Sequence, residues 1–464
     1  MVAVLSLMNL RQRDLQEWDE SRNGVNAFEM LQNGDYINYY YNNQLDTWNA
    51  KPPLMIWLIA FSYKVFGFNE FGLRFPAFIS TFLFFIFCFK IVEKLGNRLK
   101  AFYSCLVLLS CKAVLGNHIG LTGDFDSLLL VLLTASVYYF ILYAEYQKKS
   151  SIFIAAGLTG LAFYTKGTAS FIFLPGFISY LLIQGKGMDM LKDRRIWFSL
   201  LLFLLIAGSW IILVYAFGKT STNSFYGTKN SIETMLVHDT FNRLTSNSFE
   251  QNEGHDIFFF FKVLDTRLNL WNYLFYISLI PGLYSLAKCR KNLLFCIQDE
   301  KNRLVLLSVC MILPLAIVMT FAINQHNWYL APIFMFVAIL TVEGILYLCN
   351  KWKYFWLIIS ILFAFTFIRH TIYLYDLPQT IHKNLFANKS LQGRTILIAD
   401  DLKQNVFLYL KWLNTRIERV PIEEVRGYKG EFIILNKSRI NTLLLQYIEP
   451  VSYFDDYCLG LIKK

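Results

Sequence analysis

Charge is scarce in this sequence. Asp, Glu, Lys and Arg make up only 17% of its 464 residues, while 55% are apolar. A soluble domain of this length carries more charge, so a soluble globular class is excluded. The eight cysteines include no CxxC pair and no metal-ligand spacing, and they read as small apolar packing residues. No cleavable signal peptide is expected. Met1–Leu10 is apolar but too short to span a bilayer, and it reads as the tail of a helix. No fixed-period repeat is found, whereas many transporters are built from repeated halves. No basic patch interleaved with exposed aromatics marks a nucleic-acid surface.

What is present is a series of apolar runs suited to about 30 Å of hydrocarbon. They are Pro76–Ile91, Ala101–Leu115, Leu128–Tyr146, Ile152–Tyr164, Ser170–Ile183, Trp197–Phe217, Trp271–Ala287, Leu304–Ile323, Tyr329–Leu348 and Phe355–Leu374. The formal charge of +11 is concentrated in every second loop: Lys90, Lys94, Arg98 and Lys100; Lys148 and Lys149; Lys186, Lys192, Arg194 and Arg195; Lys288, Arg290, Lys291, Lys301 and Arg303; Lys351 and Lys353. This is the positive-inside pattern, and it assigns those loops to the cytoplasm. The remaining loops then lie outside: Asp19–Arg74, Gly116–Asp126, a turn at Lys166, Gly218–Asn269, Asn324–Trp328 and the tail after Tyr375. Pro53–Phe66 is apolar but too short to cross, so it reads as a juxtamembrane or re-entrant helix.

Three parts follow. Residues 1–75 hold a remnant helix and an outside loop with juxtamembrane helices. Residues 76–375 form a polytopic helical body of about ten spans by run length. Residues 376–464 form a small outside α/β domain, with strands expected at Thr395–Ile398, Glu431–Leu435 and Tyr457–Lys463 and helices at Leu402–Trp412 and Ser438–Tyr447. The fold class is therefore mainly α, a membrane helical protein with a small C-terminal α/β extracytoplasmic domain.

Candidate chemistry gathers in the outside loops, where ionisable groups beside spans are costly to keep. Asp19, Arg22, Asn26 and Glu29 are spaced to share one helix face, with Asn33-Gly34 as a stop. The expected helix is amphipathic and lies on the outer membrane surface. Lys51-Pro52-Pro53-Leu54 sets a cation at the start of the re-entrant helix, suited either to snorkelling or to holding a phosphate. Asp124 and Asp126 stand where an outside loop enters the Leu128 helix; capping needs only one of them. Lys166 opposes the positive-inside trend. His255, within Glu253-Gly254-His255, and Tyr329, within His326-Asn327-Trp328-Tyr329, lie in further outside loops.

Taken together, Asp19-Glu20 with Arg22, Asn33-Gly34-Asp35, Lys51-Pro52-Pro53-Leu54 and Gly67 through Asn69-Glu70 to Arg74 and Pro76 resemble the N-terminal signature of the GT-C glycosyltransferases. The likeness is to the aminoarabinose-transferase and protein O-mannosyltransferase-like branch. Gly123-Asp124-Phe125-Asp126, Thr165-Lys166-Gly167, Glu253-Gly254-His255 and Tyr329 with Pro332 are similar to later family motifs in the same order, over roughly residues 15–340.

The resemblance implies inverting transfer from a polyprenyl-phosphate sugar at the periplasmic face of a bacterial inner membrane. The acceptor would be a cell-envelope lipid such as lipid A, a glycan or a protein. It implies Asp19 as the acceptor-activating carboxylate and Asp126 or Asp124 as the second acidic residue. Arg22, Lys51 and Lys166 would contact the donor phosphate, and Glu20, His255 and Tyr329 would contact substrate. Aminoarabinose transferases carry a metal-ligating glutamate directly before Lys-Pro-Pro, and Asn49-Ala50 stand there instead. No metal ligand is assigned, and a divalent metal is the one cofactor left open. The alternatives are a transporter or flippase, and a non-catalytic envelope assembly protein.

Overall fold

The computed structural model describes residues 10–11, 13–116, 118–220, 230–242, 256–288, 293–352, 354–375, 389–440, 442–454 and 456–463. Its first long helix, α1 (Asp19–Asn33), ends where Gly34 adopts φ +68° and donates back to the Met30 carbonyl. Only glycine takes that left-handed cap at no steric cost. A short apolar helix, α2 (Leu54–Phe66), follows the paired prolines. The helical body is α3 (Glu70–Leu95), α4 (Arg98–Leu109), α5 (Phe125–Ala144), α6 (Ser151–Lys166), α7 (Leu174–Ile183), α8 (Arg194–Phe217), α9 (Phe259–Leu268), α10 (Leu270–Lys288), α11 (Arg303–Phe321), α12 (Phe334–Lys351) and α13 (Phe355–Tyr375).

Among the described residues, seven helical stretches are long and apolar enough to cross a membrane, fewer than the ten runs marked in the sequence. Two differences are physical. The run Ala101–Leu115 is helical only to Leu109, after which Ser110–Gly116 turns irregularly. The runs either side of Lys166 form one stretch of 33 residues, yet it is not a straight crossing. Gly167, at φ +55°, breaks it. Tyr180 and Lys186 then both hydrogen-bond to Glu145, beside the start of α6. The second half therefore returns to the end where the first began.

The two ends of the body differ in chemistry. At one end Lys186 and Arg303 share the Glu145 carboxylate, and Asp193 accepts from Tyr143. Asp126 and Glu145 bracket α5, so the acidic outside residues lie about 30 Å away along a 20-residue helix. The alternation of loop charge thus corresponds to two separate ends of the bundle.

The C-terminal region is a five-stranded sheet of β1 (Thr395–Ile398), β2 (Arg416–Arg419), β3 (Phe432–Asn436), β4 (Ile448–Phe454) and β5 (Tyr457–Ile462), with helix α14 (Gln404–Trp412) crossing between β1 and β2. The strand order is β2-β1-β3-β5-β4, parallel across β2-β1-β3 and antiparallel beyond. The apolar runs became the inner strands. The two strands missed by pattern are the edges: Arg416–Arg419 is charged, and Ile448–Phe454 carries Pro450 with a register shift. Charge and proline are what edges tolerate. The helix expected over Ser438–Tyr447 shrinks to Thr442–Leu445.

Helix α14 packs this sheet onto α1. Leu408 fills the space over Gly24, where a Cβ would lie 2.4 Å from its methyl. Lys411 pairs with Glu29 at 2.9 Å, Tyr409 donates to Glu70 and Phe407 stacks on Tyr41. Residues Gly24–Met30 of α1 are consequently buried all round. The expectation of a helix lying on the membrane surface is corrected: α1 is an internal strut, with Gly24 and Glu29 covered by α14 and Phe28 packed on Phe68.

Candidate active site

The elements above set two adjoining groups of polar side chains at the acidic end of the bundle. The first is a cavity of about 460 Å³. Its polar lining is Lys51, Asp126, Lys166, Thr168, Asp239, Thr240, Asn324 and Tyr329. Its apolar lining includes Leu129, Phe171, Ile172, Pro175, Pro314, Leu315, Val318 and Met319.

Lys166 ends α6, and both oxygens of Asp126, in the first turn of α5, accept from its ammonium at 2.6 and 2.7 Å. The Tyr329 ring lies 5.3 Å from the same ammonium. Lys51 differs. Its ammonium faces the rings of Trp48 and Phe125 at 5.4 and 5.1 Å. Among the described residues no carboxylate pairs with it, so its charge is available to a ligand. The π-helical segment Thr234–Asn242 brings Met235, Asp239 and Thr240 to the cavity. Thr168 and Thr240 hydrogen-bond there at 2.7 Å. Such π segments are frequent at functional sites, but their side-chain period gave no signal in the sequence.

The second group is Asp19, His118 and Asp124. Nδ1 of His118 lies 3.7 Å from Asp19 and 3.4 Å from Asp124. His118 sits at φ +65°, a region rare for non-glycine residues and one where strain clusters at functional sites. Its ring stacks on Trp328 at 4.0 Å, and His326 stacks on the same indole at 4.6 Å. Burial works against charge on His118, but Asp124, Asp19 and Asp126 outweigh it and raise its pKa. Burial likewise pushes the Asp124 carboxyl up; His118 opposes this, while Asp19 and Glu20 add to it. Asp124 occupies the N-cap position of α5 but makes no cap bond. Its carboxylate instead accepts from Thr122 at 2.6 Å.

Each of these three residues offers one ligand atom, all within 4.8 Å of one another. Two carboxylates and an imidazole suit a divalent cation. The set involves neither Asn49 nor Ala50. Sequence inspection missed His118, since a single loop histidine carries no spacing signal.

The remaining expected site residues divide. Glu20 is wholly enclosed. Arg74 donates to it at 2.6 and 2.9 Å, and the backbone amides of Gln16 and Gly123 add two more bonds. Burial alone would raise its pKa, but Arg74 and these donors hold it low. The expectation that Glu20 contacts substrate is corrected: no surface of it is open, and its lone pairs are engaged. Arg22 is held by Asp46 through two bonds of 2.8 and 2.7 Å, and lies against the rings of Tyr41 and Trp48. Arg22 is not among the residues that line the cavity, whereas Lys51 and Lys166 are. His255 lies outside the described residues. Asp19, Asp124, Asp126, Lys51, Lys166 and Tyr329 converge. The charge of Asp19 is felt at Lys166, and that of Asp126 at His118.

Comparisons with known proteins bear on this geometry. Residues 50–212 match the family of dolichyl-phosphate-mannose-protein mannosyltransferases. An undecaprenyl phosphate-alpha-4-amino-4-deoxy-L-arabinose arabinosyl transferase of Shewanella sediminis is 30% identical over 220 residues, covering 46% of this chain and 39% of that protein. The chain spans about two fifths of the length of the curated relatives it matches. Among solved structures, ArnT from Cupriavidus metallidurans bound to undecaprenyl phosphate superposes with a TM-score of 0.72. Identity is 13%, with 99% of this chain and 96% of that one covered. The Archaeoglobus fulgidus oligosaccharyltransferase, in complex with Zn and sulfate, gives a TM-score of 0.53 at 12% identity, with 94% and 68% coverage. In motif order, in its relatives and in fold, this chain resembles the GT-C glycosyltransferases, with its likeness to the aminoarabinose-transferase and protein-mannosyltransferase branch.

Proposed function

We propose that this protein is a membrane glycosyltransferase that moves a sugar, with inversion, from a polyprenyl-phosphate donor to a cell-envelope acceptor. One observation carries the reading. Lys51, which pairs with no carboxylate among the described residues, and the ion pair Asp126–Lys166 line one cavity together with many apolar side chains at the end of a helical bundle. A lipid phosphate needs that combination: charge for the head and apolar surface for the chain.

In the reaction the acceptor oxygen attacks the anomeric carbon from the face opposite the phosphate. The new carbon–oxygen bond forms as the sugar–phosphate bond breaks, and that electron pair leaves on the phosphate oxygen. Asp19 takes the acceptor proton. Lys51 and Lys166 bind the departing phosphate and stabilise its growing charge. Asp126 holds Lys166 in place. A divalent cation held by Asp19, His118 and Asp124 would supply positive charge beside the acceptor oxygen. The loop-charge pattern supports a bacterial inner membrane with the site facing the periplasm. The acceptor is an envelope lipid such as lipid A, a glycan or a protein.

The test uses purified protein reconstituted with labelled polyprenyl-phosphate sugars and envelope extracts. Wild type should transfer label, and Lys51→Gln should lose most of that transfer while folding normally. Wild-type protein that binds donor yet never turns it over would sink the enzyme reading.

A further inference from the structure

A group of cations is unused by this mechanism and contributes no side chain to the lining of the cavity. Lys112, in the loop after α4, has its ammonium 3.9 Å from the ring centroid of Tyr373 on α13. Its backbone amide donates to the Arg267 carbonyl at 3.0 Å, bringing α9 against the same loop. The Arg267 guanidinium fits there because residue 116 is glycine: a Cβ would lie 2.8 Å from it. On α13, Arg369 and His370 stand four and three residues before Tyr373, on the same face. The His370 and Tyr373 rings lie 5.7 Å apart, 26° from parallel.

Three independent elements thus deliver Lys112, Arg267 and Arg369 to one place, and among the described residues no carboxylate pairs with any of them. At the other end of the bundle the inward cations do find carboxylates: Lys186 and Arg303 share Glu145, and Lys100 pairs with Glu343. A second observation points to a missing partner. His370 is 4% exposed, and its buried Nε2 has no hydrogen-bond partner. Burial lowers the Lys112 pKa first, and Arg369 and Arg267 lower it further, as like charges crowd together. An anion would relieve that crowding.

The surroundings indicate what carries the anion. Arg369 is flanked along α13 by Phe365, Ile368 and Ile372, which are 54%, 58% and 53% exposed. This is an apolar surface on a helix long enough to cross a membrane. A free ion has no use for it, whereas acyl chains do.

We propose that Lys112, Arg267 and Arg369 form a second anion site that seats the phosphate of a lipid headgroup, separate from the donor cavity, with its acyl chains along α13. The site stands on this geometry alone, whether or not the protein transfers sugar. The test is calorimetric binding of dihexanoyl phosphatidate to the detergent-solubilised full chain. Dihexanoyl phosphatidylcholine and inorganic phosphate are titrated in parallel.

Wild type should bind phosphatidate at least tenfold more tightly than either comparison ligand. Lys112→Gln with Arg369→Gln should weaken phosphatidate at least tenfold, and Lys51→Gln should leave it unchanged. Arg369→Gln alone, an exposed change that spares packing, should weaken it severalfold with an unaltered size-exclusion profile. Inorganic phosphate binding as tightly as phosphatidate would overturn the lipid assignment. Loss of binding in Lys51→Gln, or full affinity in the Lys112 and Arg369 variants, would overturn the site.

Discussion

The ion pairs Glu20–Arg74 and Asp126–Lys166 have the same closest separation, 2.6 Å, and opposite surroundings. Around Glu20–Arg74 nothing is left open. Both side chains are fully buried, and Arg74 also donates to the carbonyls of Arg13 and Asp14 at 2.8 Å. A buried pair with every lone pair and proton used cannot exchange its partner without a large cost, so it serves architecture. Asp126 and Lys166 are 11% and 13% exposed and line the cavity. That pair can be re-partnered by an incoming phosphate. Charge and spacing are shared; the number of engaged hydrogen-bonding positions separates strut from site.

Four measurements would break or sharpen this contrast. Arg74→Met leaves the Glu20 carboxylate enclosed without its cation. The expected loss is about 3–5 kcal/mol of stability, seen as failure to accumulate in the membrane or a collapsed thermal transition. Asp126→Asn should keep the fold and lower transfer by about a hundredfold to a thousandfold, the range for removing one electrostatic group from a preorganised site. Equal loss of stability in both variants would erase the distinction.

Lys411→Met tests the clamp by which the C-terminal sheet grips α1. Glu29 would lose its buried partner, at about 1–3 kcal/mol, read as a lower thermal midpoint. Transfer per folded molecule should be unchanged.

The smallest effect is on pH. Arg74 and Arg22 hold Glu20 and Asp46 below the ordinary carboxylate range against the opposing effect of burial. The Asn38 and Ile37 amides, with the Asn38 and Tyr40 side chains, take Asp35 from 3.8 to about 2 despite desolvation. A depressed folded pKa stabilises above the unfolded value, and that stability is lost as pH falls through the folded one. The contribution of these three carboxylates should therefore be flat from pH 7 to pH 5 and be lost below about 4. His118, with its raised pKa, has the opposite sign and adds stability that is lost as the pH rises through its folded value. Acid stability that persists unchanged below about pH 3 would contradict the carboxylate assignment.

Much of this was legible in the chain. The stop of α1 at Gly34, the short α2, and the inner strands at Thr395–Ile398 and Phe432–Asn436 follow from a glycine cap and local period. The site was legible in part. Asp19, Asp124, Asp126, Lys51, Lys166 and Tyr329 carried motif or positional signals and they converge. Glu20 and Arg22 carried equal signals and are spent on Arg74 and Asp46, because a carboxylate in sequence does not reveal its partner. His118 carried none. Its importance arises when the loop before α5 folds back onto the start of α1.

Composition and order by themselves determined a membrane body, its charged and acidic loops, and the chemistry available at each end. Those properties depend on the length of an apolar run against bilayer thickness and on residues adjacent in the chain. Tertiary structure alone decided which charges are neutralised. Glu20 meets Arg74 across 54 positions and Asp126 meets Lys166 across 40. Among the described residues Lys51 faces aromatic rings and pairs with no carboxylate, and Lys112, Arg267 and Arg369 gather with no carboxylate pairing with them. Partner choice follows from how helices pack in three dimensions. The residual unpaired charge, which is what a ligand meets, becomes visible only after that packing.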